Sequence, residues 1–112
     1  MIIQKNLEFF KNANTPAESK IFSNSSADTL TVQVSGDFTN GLFFIEGRNN
    51  SGGDWCSLAA IDLSSFMPVR AGFTKPGIYE IGVAGVREVR ARVANISGKV
   101  SIFGQMISME ET

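Results

Sequence analysis

The chain has 112 residues, 43% of them apolar and 19% charged, with a formal net charge of -1. That is one globular domain, too short for a catalytic domain plus a second unit and without an electrostatic pull toward DNA or anionic lipid. There is no histidine and one cysteine, Cys56, which excludes Ser-His-Asp and Cys-His catalysis, His-ligated zinc, CxxC redox chemistry and an intrachain disulfide.

No apolar run approaches the ~20 residues of a membrane helix. The start Met1-Ile2-Ile3-Gln4-Lys5 has no charged segment followed by an apolar one, so the expectation is a soluble, unprocessed chain that inserts in no membrane. In residues 1–28, Ile3, Leu7 and Phe10 fit a helical stripe, whereas Asn6, Asn12, Asn14 and Pro16 limit any helix to about two turns. Adjacent Phe9 and Phe10 point to different sides in either conformation. Two readings stay open: an apolar arm that packs on a neighbouring subunit, or an edge strand covering the rest. We take 1–28 as this arm or edge segment and 29–112 as the main domain.

From Thr29 the period is two. Leu30, Val32 and Val34 alternate with Thr29, Thr31 and Gln33, giving one apolar and one polar face. Asp37-Phe38-Thr39-Asn40-Gly41 is expected to reverse the chain into the strand Leu42-Phe43-Phe44-Ile45-Glu46, because Asn-Gly tolerates the positive φ of a tight hairpin. Asn49-Asn50-Ser51-Gly52-Gly53-Asp54 reads as an exposed loop before a strand over 55–62. Residues 63–71 are less regular, and Pro68 places them at an edge or crossover. Pro76-Gly77 leads by a type II turn into Ile78-Tyr79-Glu80-Ile81, and Gly82-Val83-Ala84-Gly85 breaks that run. Over 86–93, Val89, Ala91 and Val93 share one face, and Arg90 and Arg92 the other. Asn95-Ile96-Ser97-Gly98 is expected to close a hairpin with the last strand, 100–107, before the polar tail Glu110-Glu111-Thr112. Short strands joined by turns predict an all-β fold, a single compact antiparallel β-sandwich with a short N-terminal arm.

The chemistry-bearing residues are sparse. Asp54 and Asp62, with Glu46, are the only candidates for a carboxylate pair or a Ca²⁺ site, but the 49–54 loop has one carboxylate and two glycines and reads as turn chemistry. No metal or cofactor is expected, and no catalytic residue. Arg87, Arg90 and Arg92 concentrate positive charge that could dock an acidic group. No aromatic residue alternates with them as a nucleic-acid platform requires, and Glu80 and Glu88 are available as ion-pair partners. No specific nucleic acid is expected. A lone Trp in a small sandwich reads first as core; otherwise Trp55 and Tyr79, with Asn50 and Asp54, make an exposed set for stacking on sugar. Cys56 reads as a buried, inert thiol. Phe43, Phe44, Phe66, Phe73 and Phe103 exceed one small interior, so one aromatic face is expected to meet another chain. The contact candidates are Phe9, Phe10, Phe44, Arg90 and Arg92.

One pattern spans about two-thirds of the chain: Val34-Ser35-Gly36-Asp37-Phe38-Thr39-Asn40-Gly41, then Phe43-Phe44-Ile45-Glu46-Gly47, then Asp54-Trp55, and in the second half Pro76-Gly77-Ile78-Tyr79-Glu80-Ile81, Val83-Ala84-Gly85-Val86-Arg87-Glu88-Val89-Arg90-Ala91-Arg92-Val93 and Ser97-Gly98-Lys99-Val100. It resembles small structural proteins of tailed bacteriophages and prophages. The loop reads Ser-Gly-Gly-Asp where such proteins often carry Asp-Gly, and the N-terminal segment lies outside the pattern. The resemblance implies a virion protein, made in the bacterial cytoplasm, and transfers no catalytic or binding residue. The expected role is a non-enzymatic accessory subunit of capsid or tail whose partners are other virion proteins and copies of itself. The rival is a carbohydrate-binding adhesin module of a tail fibre or baseplate that holds a host surface glycan.

Overall fold

The computed structural model describes residues 2–70 and 72–109. Met1 of the expected start, Ala71 at the end of the irregular stretch and the tail Glu110-Glu111-Thr112 lie outside the described residues. Among the described residues nine strands run in chain order: β1 (Ile2–Ala13), β2 (Ala17–Glu18), β3 (Phe22–Ser23), β4 (Thr29–Arg48), β5 (Cys56–Ser57), β6 (Ala60–Asp62), β7 (Met67–Val69), β8 (Gly77–Gly82) and β9 (Glu88–Met109). All pairings are antiparallel, and no helix occurs among the described residues. The fold is the all-β antiparallel sandwich that the alternation predicts.

Its two layers belong to one continuous sheet. β4 and β9 pair along nearly their whole lengths, from Thr29↔Ile107 to Arg48↔Glu88. The first layer holds the N-terminal half of β4 and the C-terminal half of β9, in the order β1-β9-β4-β8-β6-β7. The second layer holds the other halves, with β2 and β3 on the free edge of β9 and β5 on that of β4. Residues 2–23 therefore run along one edge of β9 through both layers, with Leu7 and Phe9 pointing into the core.

Neither expected hairpin forms. Asn40-Gly41 and the 95–98 stretch lie opposite each other in the ladder (Phe38↔Gly98, Asn40↔Ser97, Gly41↔Ile96, Leu42↔Asn95), so the ribbon bends there with its pairing intact instead of reversing. Two one-residue bulges sit at the bend, Thr39 in β4 and Ala94 in β9. Each shifts the side-chain phase by one. β4 is buried at Leu30, Val32 and Val34 and then at Phe43 and Ile45, while β9 is buried at Val89, Ala91 and Val93 and then at Val100 and Ile102. A bulge absorbs such a phase change while keeping the apolar set on one face of the sheet. Gly36 (φ 134°) and Gly98 (φ 121°) flank the bend in a backbone region closed to side chains, and a Cβ on either would collide with the facing strand at the carbonyls of Lys99 and Asp37.

The concave faces meet in a single core. Phe9 of the first layer packs edge-to-face on Phe22 of the second at 5.2 Å, and Tyr79 stacks obliquely on Phe73 at 4.4 Å. Phe73 is itself fixed to the second layer by reciprocal backbone bonds with Phe43 of 2.9 and 2.7 Å. Phe43 is fully buried, which is worth about 1.5–3 kcal/mol of transfer free energy. Pro68 lies in the edge strand β7, where a missing ladder donor costs nothing.

Candidate functional site

The convex face of the second layer carries the densest constellation of functional side chains. Period two puts Phe44, Glu46 and Arg48 of β4 on that face, directly opposite Arg92, Arg90 and Glu88 of β9. Two of these three cross-strand pairs join opposite charges, and the third sets a cation against an aromatic ring. Glu46 is only 6% exposed, and its two carboxylate oxygens accept from Arg90 Nε at 2.9 Å and Arg92 Nε at 3.1 Å. Arg48 Nε donates to Glu88 at 2.9 Å, and its Nη1 donates to the Gly53 carbonyl at 3.1 Å, which ties down the 49–54 loop. That loop delivers Trp55 over the sheet, where the Arg48 and Arg90 guanidiniums lie 4.2 and 4.5 Å from its ring centroid. Arg92 covers Phe44 at 4.4 Å.

A buried carboxylate is costly unless its lone pairs are taken up, and two charge-assisted bonds do that for Glu46. Each guanidinium–ring contact adds about 1 kcal/mol. Arg90 also approaches Glu18 of β2 at 3.8 Å, so three arginines face three glutamates. The result is a charge-balanced plate of aromatic and guanidinium planes.

Arg90 and Arg92 thus share one face, as their parity implied, and the β4–β9 pairing sets Phe44 beside them. Phe9 does not join them: β1 pairs with β9, and Phe9 faces inward at 5% exposure against Phe22. Phe10, just past a bulge, is half-buried against the same core. Trp55 is not a core residue, because the loop places it half-buried on the convex face. Tyr79 is the buried aromatic instead. Its hydroxyl donates to the Lys75 carbonyl at 2.7 Å, and burial pushes its phenol above the ordinary value. The expected Trp55–Tyr79 sugar platform is therefore split between the convex face and the core, while Asn50 and Asp54 stand exposed in the loop.

The expected 55–62 strand is broken into β5, which pairs with β4, and β6, which pairs with β7 and β8. Asp62 closes the β6–β7 turn by accepting from the backbone N–H and hydroxyl of Ser64 at 2.9 and 2.7 Å. Cys56 is exposed, not buried. Glu88 pairs with Arg48, whereas Glu80 lies in β8 of the other layer. The sequence reading missed Glu46 as the centre of the plate and Arg48 as its anchor. The signal was present as the complementary runs Phe44/Glu46/Arg48 and Glu88/Arg90/Arg92, legible once β4 and β9 are paired.

Comparison with known proteins places this geometry in a family. The sequence model of the XepA family matches residues 4–106. No curated protein sequence matches the chain. The crystal structure of SPBc2 prophage-derived protein YomS superposes with a TM-score of 0.88 at 21% identity, over 96% of this chain and 96% of that one. The crystal structure of PBSX exported protein XepA also gives 0.88, at 16% identity, over 96% of this chain but 38% of the longer XepA chain. At these identities the structural likeness is one of fold.

Proposed function

The chain belongs to the XepA family, among small proteins of phage and prophage origin, and we propose that it is a non-enzymatic structural subunit of a phage particle, on capsid or tail. It works through protein–protein contacts made by the convex face of the second layer. The observation that carries this reading is the plate itself: Trp55 stacked with two guanidiniums, and Arg90 and Arg92 locked onto Glu46. Trp and Arg are the side chains in which interface energy concentrates. Holding them in place before contact lowers the entropic cost of association. Because the plate is neutral, affinity comes from shape and stacking, and repeated copies on a symmetric particle multiply weak contacts. That XepA is an exported protein of PBSX supports a working place in the virion or outside the cell, after synthesis in the bacterial cytoplasm.

Sedimentation of the purified chain, alone and mixed with capsid or tail proteins of its own particle, tests the reading. Self-association or a complex at micromolar concentration is expected, weakened at least about tenfold by Trp55→Ala and by Arg92→Ala. Circular dichroism of both variants verifies that they stay folded. A monomer that binds no particle protein at high micromolar concentration overturns it.

A further inference from the structure

One end of the sandwich gathers three loops, residues 23–27, 49–53 and 83–87, that are braced against one another by hydrogen bonds. Asn24 Nδ2 donates to the carbonyls of Ala27, Val83 and Val86 at 3.2, 3.0 and 2.9 Å, and Asn24 Oδ1 accepts from the Ala27 N–H at 2.8 Å. The Asn24 N–H donates to the Arg87 carbonyl at 2.8 Å, and the Arg87 N–H donates to Asn49 Oδ1 at 3.2 Å. The loops are thus set before any ligand arrives.

Two open clefts flank this brace, of about 550 and 430 Å³, and Arg87 lines both. Arg48, Arg90 and Arg92 are all ion-paired, but among the described residues no carboxylate lies within ion-pair distance of Arg87. The smaller cleft is lined by Ser25, Asn49, Asn50 and Ser51, and its one carboxylate, Glu88, is engaged by Arg48. The larger cleft contains Asp28, so an anion is better placed in the smaller one. Lys5 lines a further pocket on the other flank of the 23–27 loop.

We propose that this end binds an anionic, hydroxyl-rich chain, a polyol phosphate or a uronate polymer. Arg87 takes the phosphate or carboxylate in the smaller cleft, and the serine hydroxyls and asparagine amides around it take the hydroxyls. A guanidinium suits either oxyanion because its fixed fork of donors matches both. Hydroxyl and amide groups that both donate and accept match a polyol, and every side chain lining the smaller cleft is polar or charged. The site is separate from the plate and does not depend on the role proposed for it.

Calorimetric titration of the full chain with poly(glycerol phosphate), polygalacturonate and neutral dextran at about 0.15 M salt tests the proposal. One of the two polyanions is expected to bind and dextran not, and the polyanion that binds identifies the anionic group. Arg87→Gln should weaken binding at least about tenfold. Arg70→Gln, at another exposed arginine, should leave it unchanged. Asn50→Ala, at an exposed position of the 49–53 loop, should weaken it a few-fold. Binding of neither polyanion overturns the proposal, as does equal loss in Arg70→Gln, which would mark nonspecific charge attraction.

Discussion

The two layers are halves of the same pair of strands, yet their convex faces differ in kind. On the first layer the outward groups are amides, hydroxyls, the exposed carboxylates Glu8 and Glu80 and isolated apolar side chains: Gln105 donates to Gln4 and Asn6 at 3.4 and 3.2 Å, while Ile61, Ile78 and Phe103 are 44%, 47% and 38% exposed. On the second layer the outward groups are ions and rings that cover one another, down to a carboxylate almost withdrawn from water. Backbone pairing is common to both, so the contrast comes from the side chains alone. A weave of amides and scattered carboxylates leaves each side chain nearly independent; a ladder of fixed charges over aromatic planes makes a unit.

The joint between the layers is where that comparison breaks most severely. Gly98→Ala should cost at least about 3 kcal/mol in urea unfolding, because a φ of 121° is closed to L side chains and the new Cβ strikes the facing strand at Asp37 and Phe38. A cost under about 1 kcal/mol would mean that the ribbon does not bend there. Next in size is the difference between the faces. Glu46→Ala leaves two partly buried guanidiniums without their shared anion and should cost about 2 kcal/mol, a figure reduced from the fully buried case because Arg92 retains 34% side-chain exposure. Gln33→Ala, at an exposed position on the first layer, should stay within about 0.5 kcal/mol. Equal costs at the two positions would erase the distinction between plate and weave.

The same joint explains what the sequence disclosed and what it withheld. Alternation located the inward residues of both halves, Leu30, Val32 and Val34 as well as Val89, Ala91 and Val93, and it put Arg90 and Arg92 together on the outer side. It failed at 37–41 and 95–98, because a change of phase next to Asn-Gly or Ser-Gly has two physical causes, a reversal and a bulged bend. Only the partner strand distinguishes them. With β4 and β9 each cut in two, the register Glu46↔Arg90 and Arg48↔Glu88 was out of sight, and so was the plate. Trp55 went to the core by analogy with other sandwiches, a place that Tyr79 and Phe73 fill here. For β1, the helical spacing of Ile3, Leu7 and Phe10 competed with the strand parity of Leu7 and Phe9. Tertiary pairing with β9 decided for the strand.

The smallest expected effect lies at the far edge of the first layer, in the β6–β7 turn. Asp62 is held below the ordinary carboxylate range, first by the hydroxyl of Ser64 and then by its backbone N–H, with Lys75 adding attraction. A carboxylate that gives up its proton more readily in the folded chain than in the unfolded one stabilises the fold above its unfolded value, and this contribution disappears as pH falls through the lowered folded value. An NMR titration should therefore give Asp62 a midpoint below that of an unstructured aspartate, and Ser64→Ala should bring it back toward the ordinary range. Asp62→Asn should flatten the acid limb of stability against pH only slightly, because solvent screens a carboxylate at the surface. The turn also holds Phe66 at a φ of 58° with 79% of its surface exposed, a conformation that a bulky residue keeps only when its surroundings impose it. Phe66 donates its N–H to the Asp62 carbonyl at 2.7 Å, so the residue that titrates also anchors the strained one. If acidification moves the Phe66 amide resonance with the same midpoint as the Asp62 carboxyl, the two form one local unit; independent midpoints would show that the backbone bond alone holds the turn.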